Sequence, residues 1–216
     1  MDPFTRLTTV AAPLEVATID TGMILPGRYM RQHRRPGHNY SEAFLHDLRF
    51  DERERPRPDF SLNIPAYQGA QILVTDADFG CGSSREGAAY AVLDFGLRAL
   101  IGPSFGDIFF ANCMQNGVLP IVLPYDRIHS LWRQLRATPG AMITIDLPEQ
   151  VVIDTEGAIH PFEINSARKE RLVKGIDDID LTLMHADAIS AFEKARRDKF
   201  PWLPQTTREH PPGSNP

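Results

Sequence analysis

The sequence predicts an α/β fold built on a largely buried sheet. QILVT (71–75) is a short apolar run typical of a buried strand, and REGAAYAVLDF (85–95) has the composition of a helix ending near Gly96. LRALIG (97–102) then returns to strand composition. Because strands that alternate with helices favour a sheet with packed helices, we expect a mostly buried sheet with helices on one side.

The next segments repeat this alternation. A helix is predicted over 103–117, with Ser104 as its N-cap and Gly117 at its end, and the strand VLPIVL follows it. YDRIHSLWRQLRA (125–137) is predicted as an amphipathic helix, because its large apolar residues recur at i, i+3, i+4 and i+7: Ile128, Leu131, Trp132 and Leu135.

The C-terminal part of the chain shows clearer secondary-structure signals than the first 25 residues. AMITIDL, QVVID and AIHPFEI predict a small antiparallel set around a turn at Gly157, followed by helices over 166–174 and 185–197. Residues 1–25 give only a short strand or turn at IDTGMILP. We expect one domain over 1–203 and a disordered tail over 204–216, which is rich in proline and polar residues.

Composition narrows the class of protein. The 216 residues are 42% hydrophobic and carry 23 Lys and Arg against 28 Asp and Glu, a net charge of −5, so no basic surface for nucleic acid is indicated. The start lacks a secretory signal and no apolar stretch approaches the ~20 residues that span a bilayer, so a cytoplasmic location is expected. Two cysteines are too few for a self-contained zinc or iron-sulfur site, so no metal is expected on this chain.

The loop DFGCGSSREG (78–87) is the strongest candidate for chemistry. Glycines let a backbone approach a ligand closely, and a helix that starts at Arg85 presents unpaired N–H groups to an anion. Ser83 and Ser84 add hydroxyls, and Arg85 adds a fork that matches a carboxylate or phosphate. The alternative is a tight turn whose serines only cap the helix. A dinucleotide fingerprint and a P-loop both fit badly, because the glycine spacing is wrong and the required lysine is missing.

A second candidate region is residues 27–58, which are dense in charge, proline and histidine and show little periodicity. We expect a long loop with one short helix around 41–47. Long ordered loops often carry function, but a solvated surface excursion is the alternative.

These motifs together resemble a known family. GCGSSRE followed by PSFGDIFFANCMQNGVLPIVL is similar to the small subunit of 3-isopropylmalate dehydratase, whose relatives include the swivelling C-terminal domain of aconitase. The resemblance runs in order from APLEVATIDT to GIDDIDLTLMHADAISAFE and covers about residues 11–193. It implies a three-layer swivelling β/β/α domain. It also implies a large-subunit partner that carries a [4Fe-4S] cluster, and a small dicarboxylic hydroxy acid as substrate.

The resemblance also implies roles for individual residues. The family dehydrates a 2-hydroxy dicarboxylic acid and rehydrates it with the hydroxyl on the neighbouring carbon. Ser83 would be the base in its alkoxide form, Ser84 would assist it, and Arg85 would clamp a substrate carboxylate. The remaining predicted substrate contacts are the Gly82 backbone, Arg35 or its neighbour Arg34 in the RRPG segment, and the pair Asp20 and Thr21.

Two positions depart from the family pattern. The family's Asp-Thr-Asp is here Asp20-Thr21-Gly22, and its Ser-Ser-Arg-Glu-His ends here in Gly87. We therefore keep three hypotheses: the leucine-pathway isomerase of isopropylmalate, with Asp20 substituting for the missing aspartate; a paralogous dehydratase of 2-methylmalate (which gives citraconate) or 2,3-dimethylmalate; and a non-catalytic anion-binding module.

Overall fold

A seven-stranded mixed sheet organises the chain in the computed structural model, which describes residues 1–31, 34, 38–83 and 85–203. The strands are β1 (Arg6–Leu14), β2 (Ile72–Thr75), β3 (Ala99–Gly102), β4 (Leu119–Val122), β5 (Met142–Asp146), β6 (Val151–Ile153) and β7 (Ile159–Pro161). Their order across the sheet is β4-β3-β2-β1-β5-β6-β7. Strands β1 to β4 are parallel, and β5 to β7 continue the sheet as antiparallel neighbours.

The helices are α1 (Thr21–Ile24), α2 (His46–Arg49), α3 (Glu86–Asp94), α4 (Asp107–Gln115), α5 (Tyr125–Ala137), α6 (Ser166–Lys174), α7 (Asp178–Leu183) and α8 (Ala186–Lys199). Short 3₁₀ turns lie at Tyr29–Arg31, Ser61–Asn63 and Pro65–Tyr67. The chain divides into two compact units, residues 1–177 and residues 178–216. The second unit contains α7 and α8, and the predicted tail over 204–216 lies outside the described residues. A single domain over 1–203 stays a prediction.

Both faces of the parallel strands are buried. Leu73 and Leu100 belong to the apolar cluster that includes α3, whereas Ile72 and Ile101 belong to the cluster that includes α5. Successive residues of a strand point to opposite faces, and parallel strands are apolar throughout when both faces are covered. Helices therefore cover both sides of these strands, not one side as expected from the sequence.

Most predicted elements are confirmed, including the helix over 125–137 at both ends and the antiparallel set around Gly157. Strand β1 was missed because RLTTVAAPL changes partner along its length. Residues 6–10 pair with β5 and residues 11–14 pair with β2, so no single burial pattern runs through it.

Two local predictions are wrong. Ser104 does not cap α4, which starts after Gly106; instead its hydroxyl accepts from the backbone N–H of Asp78 (2.8 Å) and donates to the Asp78 carboxylate (2.8 Å). The short strand or turn predicted at IDTGMILP is the single-turn helix α1.

Within residues 27–58, the described part around α2 is held by ion pairs and hydrogen bonds. Arg28 donates from Nη1 to Asp47 Oδ2 (2.9 Å) and lowers the pKa of that carboxyl to about 2, chiefly through this hydrogen bonding. His46 is buried and its Nε2 lies 2.9 Å from Glu54 Oε2. This packed environment agrees with a structural role for His46, and the helix here is shorter and later than the predicted 41–47.

Candidate functional site

The glycine-serine loop lies at the carboxyl end of β2, between the segment that follows β1 and the segment that follows β3. Gly80 N–H donates to the Ile19 carbonyl (2.7 Å), and Thr21 N–H donates to the Cys81 carbonyl (3.1 Å). On the other side, Gly106 N–H donates to the Phe79 carbonyl (3.0 Å). The carboxyl ends of parallel strands are where open α/β sheets bind ligands, so the fold places the loop at a favourable edge.

Glycine is required where the loop meets the start of α4. Gly80 has φ +76°, and a Cβ on it would lie 2.2 Å from the Phe109 ring. A Cβ on Gly106 would lie 2.3 Å from the Gly80 carbonyl oxygen. The two backbones can approach this closely only without side chains, so the loop is fixed against α4 by close packing.

Ser83 is exposed, and its backbone carbonyl is hydrogen-bonded to a buried side chain. Its hydroxyl has no hydrogen-bond partner among the residues that the structure describes. Its carbonyl accepts a hydrogen bond of 2.5 Å from the Thr21 hydroxyl. Thr21 is only 2% exposed, so its side chain supports the loop from the interior and does not face an incoming ligand. Ser84 lies outside the described residues.

Arg85 carries a positive charge that nothing in the described part of the chain neutralises. It occupies the N-cap position of α3 in extended conformation, and no side chain caps this helix end. Its Nη1 lies 3.8 Å from the Met30 sulfur, and it forms no ion pair with a described carboxylate. The half-buried guanidinium, the open helix end and the Gly82 backbone together form a site that favours an anion.

Asp20 caps the neighbouring short helix. Its Oδ1 accepts from Met23 N–H (2.8 Å), and its side chain is exposed. A Cβ on Gly22 would lie 3.1 Å from this same Oδ1 and 3.7 Å from Arg85 Nη1. The two predicted residues Asp20 and Arg85 therefore both border the space over Gly22.

Gly87 faces apolar side chains and not charged ones. A Cβ here would lie 3.0 Å from Leu25 Cδ2 and 3.9 Å from Met30 Cε. Leu25 is fully buried, so a larger residue at this position requires the surrounding packing to shift. The Met30 side chain thus lies beside both the Arg85 guanidinium and Gly87. Its position was missed from the sequence, because it lies in a segment without periodicity.

Arg34 is held in a different environment from the loop. Its guanidinium donates to the Asp94 carboxylate through Nη2 (2.7 Å) and Nε (3.1 Å), and it stacks over the Tyr90 ring at 4.6 Å. Asp94 also accepts from Tyr40 N–H (2.9 Å). The structure gives Arg34 a partner at the end of α3 and does not bring it to the loop, and Arg35 lies outside the described residues.

The residues of this chain do not fit an iron-sulfur cluster. Such clusters are held by several cysteine thiolates, and the chain has only Cys81 and Cys113. Cys113 is fully buried, and burial raises the pKa of its thiol, which disfavours the thiolate that binds iron. Within the described ranges, no group of three or more His, Cys, Asp or Glu side chains could hold a metal ion. Among the residues that the structure describes, no helix is both long and apolar enough to cross a bilayer.

Three family sequence patterns match successive parts of this chain. The sequence pattern of the aconitase C-terminal domain matches residues 1–126, and that of the C-terminal domain of the 3-isopropylmalate dehydratase small subunit matches residues 178–206. A third pattern, described as LeuD_N, matches residues 129–166. The first match covers more than half of the chain.

Curated relatives extend over almost the full length. A 3-isopropylmalate dehydratase small subunit of Neisseria meningitidis is 45% identical over 212 residues, which cover 94% of this chain and 99% of the relative. The chain belongs to the family of 3-isopropylmalate dehydratase small subunits. Small subunits from Dechloromonas aromatica, 46% identical over 212 residues, and Paramagnetospirillum magneticum, 45% identical over 203 residues, match 94% of the chain and 99% and 100% of their own lengths.

A solved structure supports the fold. The 3-isopropylmalate dehydratase of Methanocaldococcus jannaschii superposes with a TM-score of 0.62 at 23% identity, over 87% of this chain and 99% of that one. The chain therefore has the aconitase C-terminal type of α/β fold that the family resemblance predicted.

Proposed function

We propose that the chain is the small subunit of a heteromeric hydro-lyase that interconverts 2-isopropylmalate and 3-isopropylmalate in leucine biosynthesis. The observation that carries the proposal is that one loop holds both an exposed Ser83 and an Arg85 guanidinium that forms no ion pair with a described carboxylate. Family membership supplies the reaction class, and this loop supplies groups suited to a carboxylic acid substrate.

Arg85 would bind a substrate carboxylate and so fix the position of the neighbouring carbon. A guanidinium is suited to this task because it presents parallel N–H donors to the two carboxylate oxygens. No carboxylate of the described chain has to be displaced first. The Gly82 backbone and the open end of α3 would add donors on the same side.

Ser83 would take the proton from the carbon next to a carboxylate, while the hydroxyl would leave from the neighbouring carbon with the help of a Lewis acid, which is the chemistry that the cluster of the large subunit would supply. Rehydration of the unsaturated acid would then return the proton and the hydroxyl with their positions exchanged. A serine hydroxyl is a poor base at neutral pH, so its alkoxide requires donors that stabilise the negative charge. Arg85 and the N–H groups at the start of α3 are the candidates for that stabilisation, with Ser84 assisting. Exclusion of water strengthens such electrostatic effects, so we propose that this exposed loop is covered by the large subunit.

The [4Fe-4S] cluster of this proposal belongs to the large subunit, because the residues of the small subunit do not fit it. We also propose a cytoplasmic complex. The Arg35 side chain would contact the variable part of the substrate, while Arg34 would hold that segment to Asp94.

A second candidate is a paralogous dehydratase of 2-methylmalate or 2,3-dimethylmalate. It is favoured by one observation: Gly22 and Gly87 replace the polar residues of the family pattern in the immediate surroundings of Arg85 and Met30. The size of the space beside the loop would then determine which of these acids, which differ only in their alkyl groups, is the preferred substrate.

The proposal is tested by reconstituting the chain with its large subunit without oxygen and following formation of the unsaturated acid by ultraviolet absorbance. Turnover of 3-isopropylmalate is expected to exceed that of 2-methylmalate and 2,3-dimethylmalate. Preference for either smaller acid would assign the paralogous function. No turnover of all three acids by an assembled, cluster-loaded complex would favour the non-catalytic anion-binding module.

A further inference from the structure

We infer that Asp78 and Ser104 are positioning residues, which hold the glycine-serine loop so that Ser83 is placed for proton transfer. The inference rests on the proposed function and adds two residues to the set that the reaction needs. Asp78 stands at the start of the loop, and Ser104 lies in the segment that follows β3. Both would act through the backbone that leads to Ser83.

The backbone of Asp78 has a conformation that most residues avoid. Its φ is +57°, in the left-handed region, where a side chain costs free energy unless other contacts compensate. A tight turn begins at the same residue: Cys81 N–H donates to the Asp78 carbonyl (3.2 Å), and Gly80 occupies the third position with φ +76°. The chain thus changes direction at Asp78 shortly before Ser83, so a change in this φ angle would move the loop.

Ser104 fixes Asp78 through two hydrogen bonds of opposite direction. The Ser104 hydroxyl accepts from Asp78 N–H (2.8 Å) and donates to Asp78 Oδ1 (2.8 Å). The φ angle describes rotation about the bond between the backbone nitrogen and the Cα atom. Because Ser104 binds groups on both sides of that bond, it restricts the rotation. The half-buried Ser104 therefore ties the start of the loop to the neighbouring strand connection.

The remaining contacts between these two segments are made by the backbone. Phe79 pairs with Phe105 as in a parallel strand, and Gly106 N–H donates to the Phe79 carbonyl (3.0 Å). These contacts do not depend on a polar side chain. The Asp78–Ser104 pair is therefore the part of the connection that substitution can remove while the backbone contacts stay.

Side chains thus hold the loop at two points. Thr21 donates to the Ser83 carbonyl from the buried side, and Ser104 binds Asp78 at the start of the loop. A base must lie within hydrogen-bond reach of the proton that it removes, and a small displacement of a reacting group lowers the rate of the chemical step. We therefore expect the Asp78–Ser104 pair to affect kcat much more than KM.

Three substitutions of Asp78 separate its hydrogen bonds from its backbone conformation. Asp78→Asn keeps an acceptor oxygen and tolerates a positive φ, Asp78→Gly tolerates the φ angle without the acceptor, and Asp78→Ala does neither. In the reconstituted complex with 3-isopropylmalate, we expect Asp78→Asn to keep kcat within about twofold and Asp78→Gly to lower it about tenfold, with KM changing less than about twofold. The melting temperature should fall most for Asp78→Ala, because alanine adds backbone strain.

Ser104→Ala tests the other partner without changing the Asp78 backbone. We expect the same fall in kcat of about tenfold, and no further loss in the double variant with Asp78→Gly, because both changes remove one contact. Gln150→Gly is the matched control. Gln150 also has a positive φ (+56°) and donates to the Phe162 carbonyl (3.1 Å), but it lies between β5 and β6. This control should lower stability and leave kcat unchanged.

A second measurement does not depend on turnover. Hydrogen–deuterium exchange of the full-length small subunit reports how firmly the loop amides are held, including Gly80 N–H, which donates to the Ile19 carbonyl (2.7 Å). Peptides that cover residues 78–83 should exchange at least about fivefold faster in Ser104→Ala than in the wild type, whereas exchange in α5 should not change.

Wild-type kcat in both Asp78→Gly and Ser104→Ala would overturn the inference, as would additive losses in the double variant. An Asp78→Asn variant as impaired as Asp78→Gly would also overturn it, since the carboxylate charge and not its hydrogen bond would then matter. The two proposals fail separately: absence of turnover by the wild-type complex contradicts the proposed function, whereas unchanged exchange of the loop amides in Ser104→Ala contradicts only the positioning role.

Discussion

The turn between β6 and β7 and the loop after β2 both concentrate polar groups, but they use them in opposite ways. In the turn, Asp154 is 6% exposed and accepts from Gln134 Nε2 (3.0 Å) and the backbone N–H of Ala158 (2.9 Å), and its Oδ2 lies 2.9 Å from His160 Nε2. The buried Asp154 carboxylate therefore has its partners within the chain. Such a network fixes structure.

In the loop, hydrogen bonds to Gly80 N–H and to the Cys81 and Ser83 carbonyls hold the backbone in place, whereas two polar side chains are left available. Thr21 holds the Ser83 carbonyl, yet the Ser83 hydroxyl and the Arg85 guanidinium have no oxygen partner among the described residues. Polar groups held in place but left without partners are suited to binding a ligand. We therefore expect variants in the turn to change the stability of the fold, and variants in the loop to change the activity of the complex.

The largest effect is expected from Ser83→Ala in the loop. Loss of a positioned general base typically costs about a hundredfold to ten-thousandfold in rate, so we expect kcat of the reconstituted complex to fall about a thousandfold. The melting temperature should stay within about 1 °C, since the exposed hydroxyl bonds to no described group. The measurement is anaerobic turnover of 3-isopropylmalate, with Ser130→Ala in α5 as the control. A variant that keeps more than a tenth of wild-type kcat would remove Ser83 from the proposed role.

Asp154→Ala should produce the reverse result. It leaves His160 and Gln134 without their buried acceptor, and we expect the free energy of unfolding to fall by about 3 kcal/mol. Urea unfolding followed by circular dichroism measures this loss, while kcat per folded molecule should be unchanged. Glu156→Ala in the same turn is the control, because only its backbone N–H is bound by Asp154. A stable Asp154→Ala variant with impaired kcat would contradict the division between the two regions.

Acidification should reduce the stability contribution of the turn. Burial raises the pKa of Asp154, but hydrogen bonds from Gln134, His160 and two backbone N–H groups outweigh it and hold this pKa below its usual range. The ionised Asp154 carboxylate thus stabilises the fold fully above its unfolded-state pKa of about 3.9. This stabilisation is lost as the pH falls through the lower pKa that Asp154 has in the folded state. Urea unfolding at pH 7 and below pH 4 should show the gap between the wild type and Asp154→Ala becoming smaller; a gap that grows on acidification would contradict this sign.

A smaller effect is expected from Thr21→Val, which keeps the shape of the side chain and removes the donor to the Ser83 carbonyl. The loop would lose a positioning contact, and we expect kcat to fall about tenfold with a smaller change in KM. Thr21→Ser retains the hydroxyl and should restore most of the loss. If the serine variant is impaired as strongly as the valine variant, the hydrogen bond is not the cause.

The fold and the loop were predictable to different degrees. Helices α3 and α5 and the strands between them have clear apolar periodicity and end signals, so their order could be read directly. Strand β1 has no such pattern, because its two halves pair with different neighbours. The loop was found from its composition, but the ion pair between Arg34 and Asp94 joins residues 60 positions apart and left no local signal. For the same reason, the spaces that Gly22 and Gly87 border could only be identified in three dimensions.

The most direct test of the account compares Arg85→Gln with Arg34→Gln by their kcat/KM for 3-isopropylmalate in the reconstituted complex. Arg85 is unpaired within the described chain, whereas Arg34 is bound to Asp94. Since truncating a charge that binds an oppositely charged group costs about 2–5 kcal/mol, Arg85→Gln should lose at least about thirtyfold in kcat/KM. Arg34→Gln should stay within about fivefold of the wild type, because its ion pair to Asp94 anchors a segment and does not bind the acid. Equal losses, or a larger loss for Arg34→Gln, would contradict the assignment of the glycine-serine loop as the site that binds the acid.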